Sequence, residues 1–303
     1  MEFDITLIVI FCIVFVFNVT GNSLVIYIIS KKQRTSTDHL LLNLAVADLI
    51  YGVFLTFYHL SYFLKLFVPK YHNIVFKNDI FCRVFFSGGI ASTAYVDSIF
   101  TVIILSVERY FAVCRPHGFK KWFSIRNVKC VMLFCWILSA ALILPAGNSG
   151  KDCMSYDKDA GKTVSAILMV FSISTLIVLV VLFIKICVSL WCKETAIQPT
   201  AVREIQERKM KKRVSLCVLA VVITYILCSI PQFIVYVIAA FQWLQENLPV
   251  LYQITSLLTL VNSAVDPYLY SFQSQKMRKL FKKIFLCSRR DHSHEPSQGE
   301  QSQ

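Results

Sequence analysis

The sequence predicts an all-α membrane protein: a seven-transmembrane helix bundle followed by a short amphipathic cytosolic helix. Three observations carry that prediction. Of 303 residues, 56% are hydrophobic and only 16% charged, where a soluble domain carries about 25% charged residues. Seven separate apolar runs reach the roughly 20 residues that a bilayer requires. The cationic residues are confined to short stretches between those runs, as membrane topology demands.

The spans follow in order at 5–29, 39–64, 83–113, 128–146, 164–191, 212–241 and 250–271. Span 1 is preceded by MEFD, which is acidic, and its apolar run reaches Ile29 without a small-residue cleavage site. It reads as a retained span rather than a signal peptide. At these lengths only helices keep every backbone group paired within the segment. The links after spans 1, 3 and 5 with the span ends that adjoin them, together with the C-terminal tail, hold 24 of the 31 Lys and Arg residues. Cations stay on the cytosolic side, so the N-terminus is expected outside and the C-terminus inside the plasma membrane.

Residues 1–4 are then a short extracellular N-terminus and 5–273 the membrane domain. Within 274–287, Met277, Leu280, Phe281, Ile284 and Phe285 alternate with Lys276, Arg278, Lys279, Lys282 and Lys283. That stretch is too short to span and reads as an amphipathic helix on the inner leaflet. Cys287 follows it as a candidate for palmitoylation. Residues 288–303 are polar and expected to be disordered.

The net charge of +13 raises nucleic-acid binding, but the cations are dispersed between apolar runs, so no nucleic-acid partner is expected. Eleven cysteines include no CxxC or Cys/His spacing suited to zinc, and most read as small buried hydrophobes. The six histidines are scattered, which argues against a membrane metalloenzyme. A transporter or channel would show inverted repeats or glycine-broken spans, and the sequence shows neither.

Six of the seven spans carry a motif. Span 1 has GNSLV with Asn22, span 2 LNLAVADL with Asp48, and span 3 ends in ERY at Glu108, Arg109 and Tyr110. Span 4 has Trp136 and then Pro145, span 6 CSIP with Pro231, and span 7 NSAVDPYLY with Asp266, Pro267 and Tyr270. On these motifs the chain resembles the rhodopsin-like (class A) G-protein-coupled receptors, from about residue 15 to 287.

The resemblance implies a receptor in which an extracellular ligand shifts the bundle and the cytosolic face activates a heterotrimeric G protein. It also implies arrestin and receptor kinases as further partners, with membrane lipids around the bundle. Glu108 pairs with Arg109 in the resting state, and the pair is a bistable element that can exchange partners. Tyr270 and Phe183 occupy the places of two tyrosines that meet the arginine in the active state. The nearest acid at the foot of span 6, Glu207, lies one turn early for a second latch.

By the same resemblance, Asn22, Asp48, Ser98, Asn262, Ser263 and Asp266 are expected to form a polar pocket around Asp48, either holding an allosteric sodium ion, the one cofactor-like group expected, or acting as a hydrogen-bonded network without an ion. Asp97, beside Ser98, points elsewhere, because helix neighbours diverge by 100°; a partner on span 4 or 5, or a neutral state, is expected. The transmission set is Ile99, Thr175, Tyr225, Ser229, Pro231 and Pro267. Ser229, Thr175 and Phe183 depart from the family pattern, which leaves a receptor-like protein with atypical signalling as an alternative.

Cys82 and Cys153, as in the family, are expected to form the outer disulfide. The sequon at Asn18 lies inside span 1 and is not expected to be glycosylated. Ala91 stands where amine receptors carry an aspartate, and Leu260 where opsins carry the retinal lysine. His59, Tyr95, Gln232, Phe233, Tyr236 and Ser256 are the candidate ligand-pocket residues. Aromatics with few charges suit a short peptide or a neutral, lipid-like small molecule.

Overall fold

A computed structural model describes residues 2–31, 33–67, 88–115, 119, 122–147, 158–192, 202–241 and 248–271. Seven α-helices follow one another: α1 (Glu2–Ser30), α2 (Ser36–Phe67), α3 (Gly89–Cys114), α4 (Ile125–Gly147), α5 (Lys158–Cys192), α6 (Val202–Ala240) and α7 (Leu248–Ser271). Each coincides with one expected span, so the chain folds as a seven-helix transmembrane bundle. Residues 83–87 of the third span, the eighth helix, Cys82, Cys153 and Cys287 lie outside the described residues.

Local chemistry sets the helix ends. Thr35 caps α2, with its hydroxyl accepting from the Asp38 N–H (3.3 Å), while Asp38 Oδ2 accepts from the Thr35 N–H (3.0 Å) and hydroxyl (2.9 Å). This reciprocal arrangement satisfies otherwise orphaned donors of the first turn. Ser124 caps α4 through the Asn127 N–H (3.3 Å). Gly88 precedes α3 at φ 74°, a left-handed conformation that glycine adopts without a Cβ penalty. Pro231 and Pro267 lie inside α6 and α7, where each removes one ladder hydrogen bond.

Among the described residues, six helices are long and apolar enough to cross a membrane by length and composition; α7 carries more polar residues on its buried face. There Gln253, Thr255, Ser256, Thr259, Asn262, Ser263 and Asp266 all point away from lipid. A helix whose polar row is covered by neighbours does not need an apolar circumference. Helix α3 is the hub, packing on α2, α4, α5 and α6, while α1 and α2 close on α7. The core between them is formed by Val25, Leu44, Val102, Leu105, Leu179 and Val221. Outward faces of α4 and α5 are apolar and exposed, as at Leu133, Phe134, Ile137, Ile177 and Val188.

Candidate functional site

The acid and base that close the third span meet one residue of α2. Arg109 Nε donates to Glu108 Oε2 at 2.6 Å, and its Nη2 donates to Glu108 Oε1. The same Nη2 donates to the Thr37 hydroxyl (2.7 Å), which in turn donates to Glu108 Oε1 (2.8 Å). The result is a closed triangle in which a forked guanidinium grips a carboxylate. Glu108 is fully buried and Arg109 nearly so. An ion pair in such surroundings holds only because its polar atoms are satisfied.

The motif reading had not singled out Thr37. The signal was there: Thr37 precedes Asp48 by 11 residues, close to three helical turns, so both lie on one face of α2. Ser98 and Arg109 share a face of α3 by the same spacing. Tyr110 and Phe183 pack beside this end, against Ile186 and Leu219. The side chains of Tyr270 and Glu207 lie outside the described residues.

Three turns along, the second cluster is centred on Asp48. Its Oδ1 accepts from Ser98 (2.8 Å) and Ser263 (3.0 Å). Asn22 does not bond this carboxylate, contrary to the reading that aimed it there; its amide donates to the backbone oxygens of Asn18 and Ser263, both at 3.1 Å. It is a clamp between α1 and α7, because it sits where their backbones approach. Asn18, the residue of the unused sequon, is buried and donates to the Asp48 backbone oxygen at 3.2 Å.

Asp266 faces Asp48 from α7, close enough for the two carboxyls to interact. Asp48 Oδ2, both Asp266 oxygens and the Asn18, Asn22 and Asn262 amide oxygens are buried without a hydrogen-bond partner. Buried acceptors in such excess over donors call for a counter-charge. Hard oxygen atoms around two carboxyls fit a small cation such as Na⁺, or a shared proton.

Asp97 departs from expectation. Its partner is neither span 4 nor span 5 but Asn43 of α2, whose amide donates to Asp97 Oδ2 and to the Thr101 hydroxyl, both at 2.8 Å. The Asn43 oxygen accepts from the Trp136 indole of α4 (3.0 Å). Asn43 thus links Asp97 to helix α4. Trp136 can only donate, which fixes the orientation of the amide. The 100° divergence of Asp97 and Ser98 remains, but α2 crosses α3 so that Asn43 and Asp48 meet the two faces separately.

Toward the opposite end, Tyr225 packs with Ile99 in the main core, and its hydroxyl reaches Thr175 and Ser229. Thr175 Oγ1 also donates to the Ser172 oxygen (3.0 Å). The Tyr95 hydroxyl is 3.4 Å from Ser229 Oγ. Its ring lies 5.1 Å from that of Tyr51, whose hydroxyl pairs with Thr259. Tyr95, read from the sequence as a pocket residue, thus touches Ser229 of the expected transmission set; Tyr51 and Thr259, joined to it here, were not singled out, because nothing in their own sequence neighbourhood marks them.

The remaining pocket candidates are His59, Gln232, Tyr236, Ser256 and Phe233. His59 is buried against Phe11 (4.6 Å between ring centroids), Tyr58 (5.2 Å) and Tyr252 (6.5 Å), and its Nε2 has no hydrogen-bond partner. Gln232 is buried with a free Nε2, and Tyr236 lies near Tyr51 and Tyr95. Ser256 is buried and Phe233 half-buried.

A family model described as 7 transmembrane receptor (rhodopsin family) matches residues 21–270. The chain belongs to the rhodopsin-like receptor family. It is 25% identical to the substance-K receptor of Mus musculus over 288 residues, covering 89% of this chain and 72% of that protein. It is 27% identical to somatostatin receptor type 5 of Rattus norvegicus over 302 residues, covering 95% and 79%. It is 25% identical to the allatostatin-A receptor of Bombyx mori over 286 residues, covering 88% and 76%. This rhodopsin-family protein is a multi-pass G-protein-coupled receptor that signals through a heterotrimeric G protein.

Proposed function

We propose that this receptor answers a short peptide arriving from outside the cell. In this reading the triangle of Glu108, Arg109 and Thr37 is the closed latch that the ligand opens. The observation that carries it is that triangle: a buried guanidinium whose partners are all within the bundle is a two-state element. Opening it frees Arg109 for the G protein. Of the two ligand classes left open by the sequence, the likeness to receptors named for substance K, somatostatin and allatostatin A favours the peptide. Buried but unpartnered Gln232 Nε2 and His59 Nε2 supply hydrogen bonds suited to a peptide backbone.

In the same reading the N-terminus is outside, the plasma membrane holds residues 5–273, and residues 274–287 lie on the inner leaflet with Cys287 palmitoylated. Cys82 and Cys153 are bridged on the outer side. Arrestin and receptor kinases act on the cytosolic side. Asp48, with Ser98, Ser263, Asn262 and Asp266 about it, would hold Na⁺, whose charge would compensate the carboxylates and favour the closed arrangement.

The test is a screen of short peptides on cells expressing the receptor with a promiscuous G protein. A peptide that triggers signalling in the native receptor and none in Arg109→Ala, at equal surface expression, supports the reading. A lipid or other non-peptide agonist, with no active peptide, would refute the ligand class.

A further inference from the structure

We propose that Asp97 of α3 and Ser139 of α4 form a proton-binding site inside the bundle, separate from the Asp48 pocket: Asp97 is held as the neutral acid, and its Oδ1–H is passed to Ser139 Oγ through one buried water. Such a site depends on neither the ligand class nor the latch proposed above.

The two residues share the seam of α2, α3 and α4, and both are fully buried. Asp97 Oδ2 accepts from the Asn43 amide at 2.8 Å. Its Oδ1 has no hydrogen-bond partner, and neither has Ser139 Oγ. Buried polar atoms are satisfied in almost every native fold, by protein or by ordered water. Two orphaned atoms in one seam therefore point to a guest between them.

Hydrogen bonds already fix how α4 meets the acid. The Trp136 indole donates to the Asn43 oxygen at 3.0 Å, on the same amide that holds Asp97 and Thr101. Ser139 follows Trp136 by three residues, close to one turn along the same face. Successive spans run in opposite directions, so the step from Trp136 to Ser139 follows the step from Thr101 back to Asp97. Cys135, one turn before Ser139, is also buried and lies within electrostatic reach of Asp97. The face of α4 that carries Cys135 and Ser139 is thus turned toward the carboxyl.

A proton fits this site better than a metal ion. An ionised carboxylate within a span needs a counter-charge, and among the described residues no cation acts on Asp97. The titratable groups that face it are Asp48 from α2 and Cys135 from α4, and neither is positive. Around Asp48, carboxyl and amide oxygens stand unpartnered on three helices. Here the free acceptors are one carboxyl oxygen and the hydroxyls of Ser139 and Thr93, the latter one turn before Asp97. That is a thin shell for a hard cation, which takes about six oxygens. A neutral acid accepts at one oxygen and donates from the other, and this matches an engaged Oδ2 beside an open Oδ1. A water between Oδ1 and Ser139 Oγ satisfies both.

Infrared difference spectroscopy of the full-length receptor in nanodiscs, with neither ligand nor G protein, reads the C=O stretch of neutral carboxylic acids. Asp97→Asn should remove one such band, which Asp48→Asn and Asp266→Asn leave in place. Ser139→Ala should shift that band without removing it. An asparagine presents the same carbonyl acceptor and a donor in place of the acid proton, so Asp97→Asn should unfold close to the native temperature and Asp97→Leu well below it. Loss of an ionised carboxylate band in Asp97→Asn, or a band that changes when NaCl replaces choline chloride in Asp48→Asn, would overturn the neutral acid. Asp97→Asn unfolding as low as Asp97→Leu would do the same. A band unmoved by Ser139→Ala would remove Ser139 from the site. Should Asp97→Asn yield no folded receptor, the Ser139→Ala shift measured in the Asp48→Asn background decides between the same outcomes.

Discussion

Thr37 of α2 and Arg109 of α3 are joined by a 2.7 Å hydrogen bond, and the same Thr37 hydroxyl donates onward to Glu108. The closed arrangement is therefore held by a residue on another helix, not by the neighbouring acid and base alone. Hydrogen bonds to charged groups contribute about 1.5–3 kcal/mol. Thr37→Val removes the hydroxyl at nearly constant volume, and basal nucleotide exchange on purified G protein should rise roughly tenfold or more. Exchange no higher than in the native receptor would remove Thr37 from the latch.

The pocket about Asp48 leads to a second prediction. Its unpartnered buried oxygens need a positive charge. Replacing NaCl by choline chloride should raise basal exchange in the native receptor and leave Asp48→Asn unaffected. An identical salt response in the variant would dissociate sodium from this carboxylate.

Tyr95 and Ser229 bring a third. Their hydroxyls are 3.4 Å apart, a long contact that opens readily. Tyr95→Phe and Ser229→Ala should each loosen α6 just below Pro231 and raise basal exchange by a few-fold, as loss of about 1 kcal/mol implies. The double variant should go no further than Ser229→Ala alone, because Tyr95→Phe removes a contact that Ser229→Ala already removes. Additive effects would show that the two residues act separately.

Asn43 is the fourth case. Its amide serves Asp97, Thr101 and Trp136 together. Asn43→Ala strands several buried polar groups, each costing about 1–3 kcal/mol. A large fall in the unfolding temperature of the detergent-solubilised receptor is expected, with Trp136→Phe falling less. A small fall for Asn43→Ala would show that these groups find other partners.

A fifth prediction concerns packing of α1 on α2. A Cβ on Gly52 would run into Asn18 Oδ1. Gly52→Ala should lower surface expression, since overpacking costs about 1–3 kcal/mol. Asn18→Ala should restore much of it in the double variant; no recovery would place the strain elsewhere.

Much of this protein was readable along the chain. All seven helices fall on the expected spans, since a bilayer imposes length and apolarity on each segment separately. The pairing of Glu108 with Arg109 was also expected, because the two are chain neighbours. Ser98 and Ser263 were expected at Asp48 and do donate to it. Asn22 and Asp97 were aimed at the wrong partners, and Thr37, Asn43, Tyr51 and Thr259 were not singled out at all. Their roles depend on residues that come close only when helices cross.

Hydropathy, charge and proline position act within one segment, and so the number of spans, their limits and the motif each carries follow from the residues in order. The partner of a buried polar group depends on the crossing angle and rotation of two helices distant in the chain. Those follow from the packing of whole apolar faces. The bundle alone therefore assigns Asn43 to Asp97 and Thr37 to the Glu108–Arg109 pair.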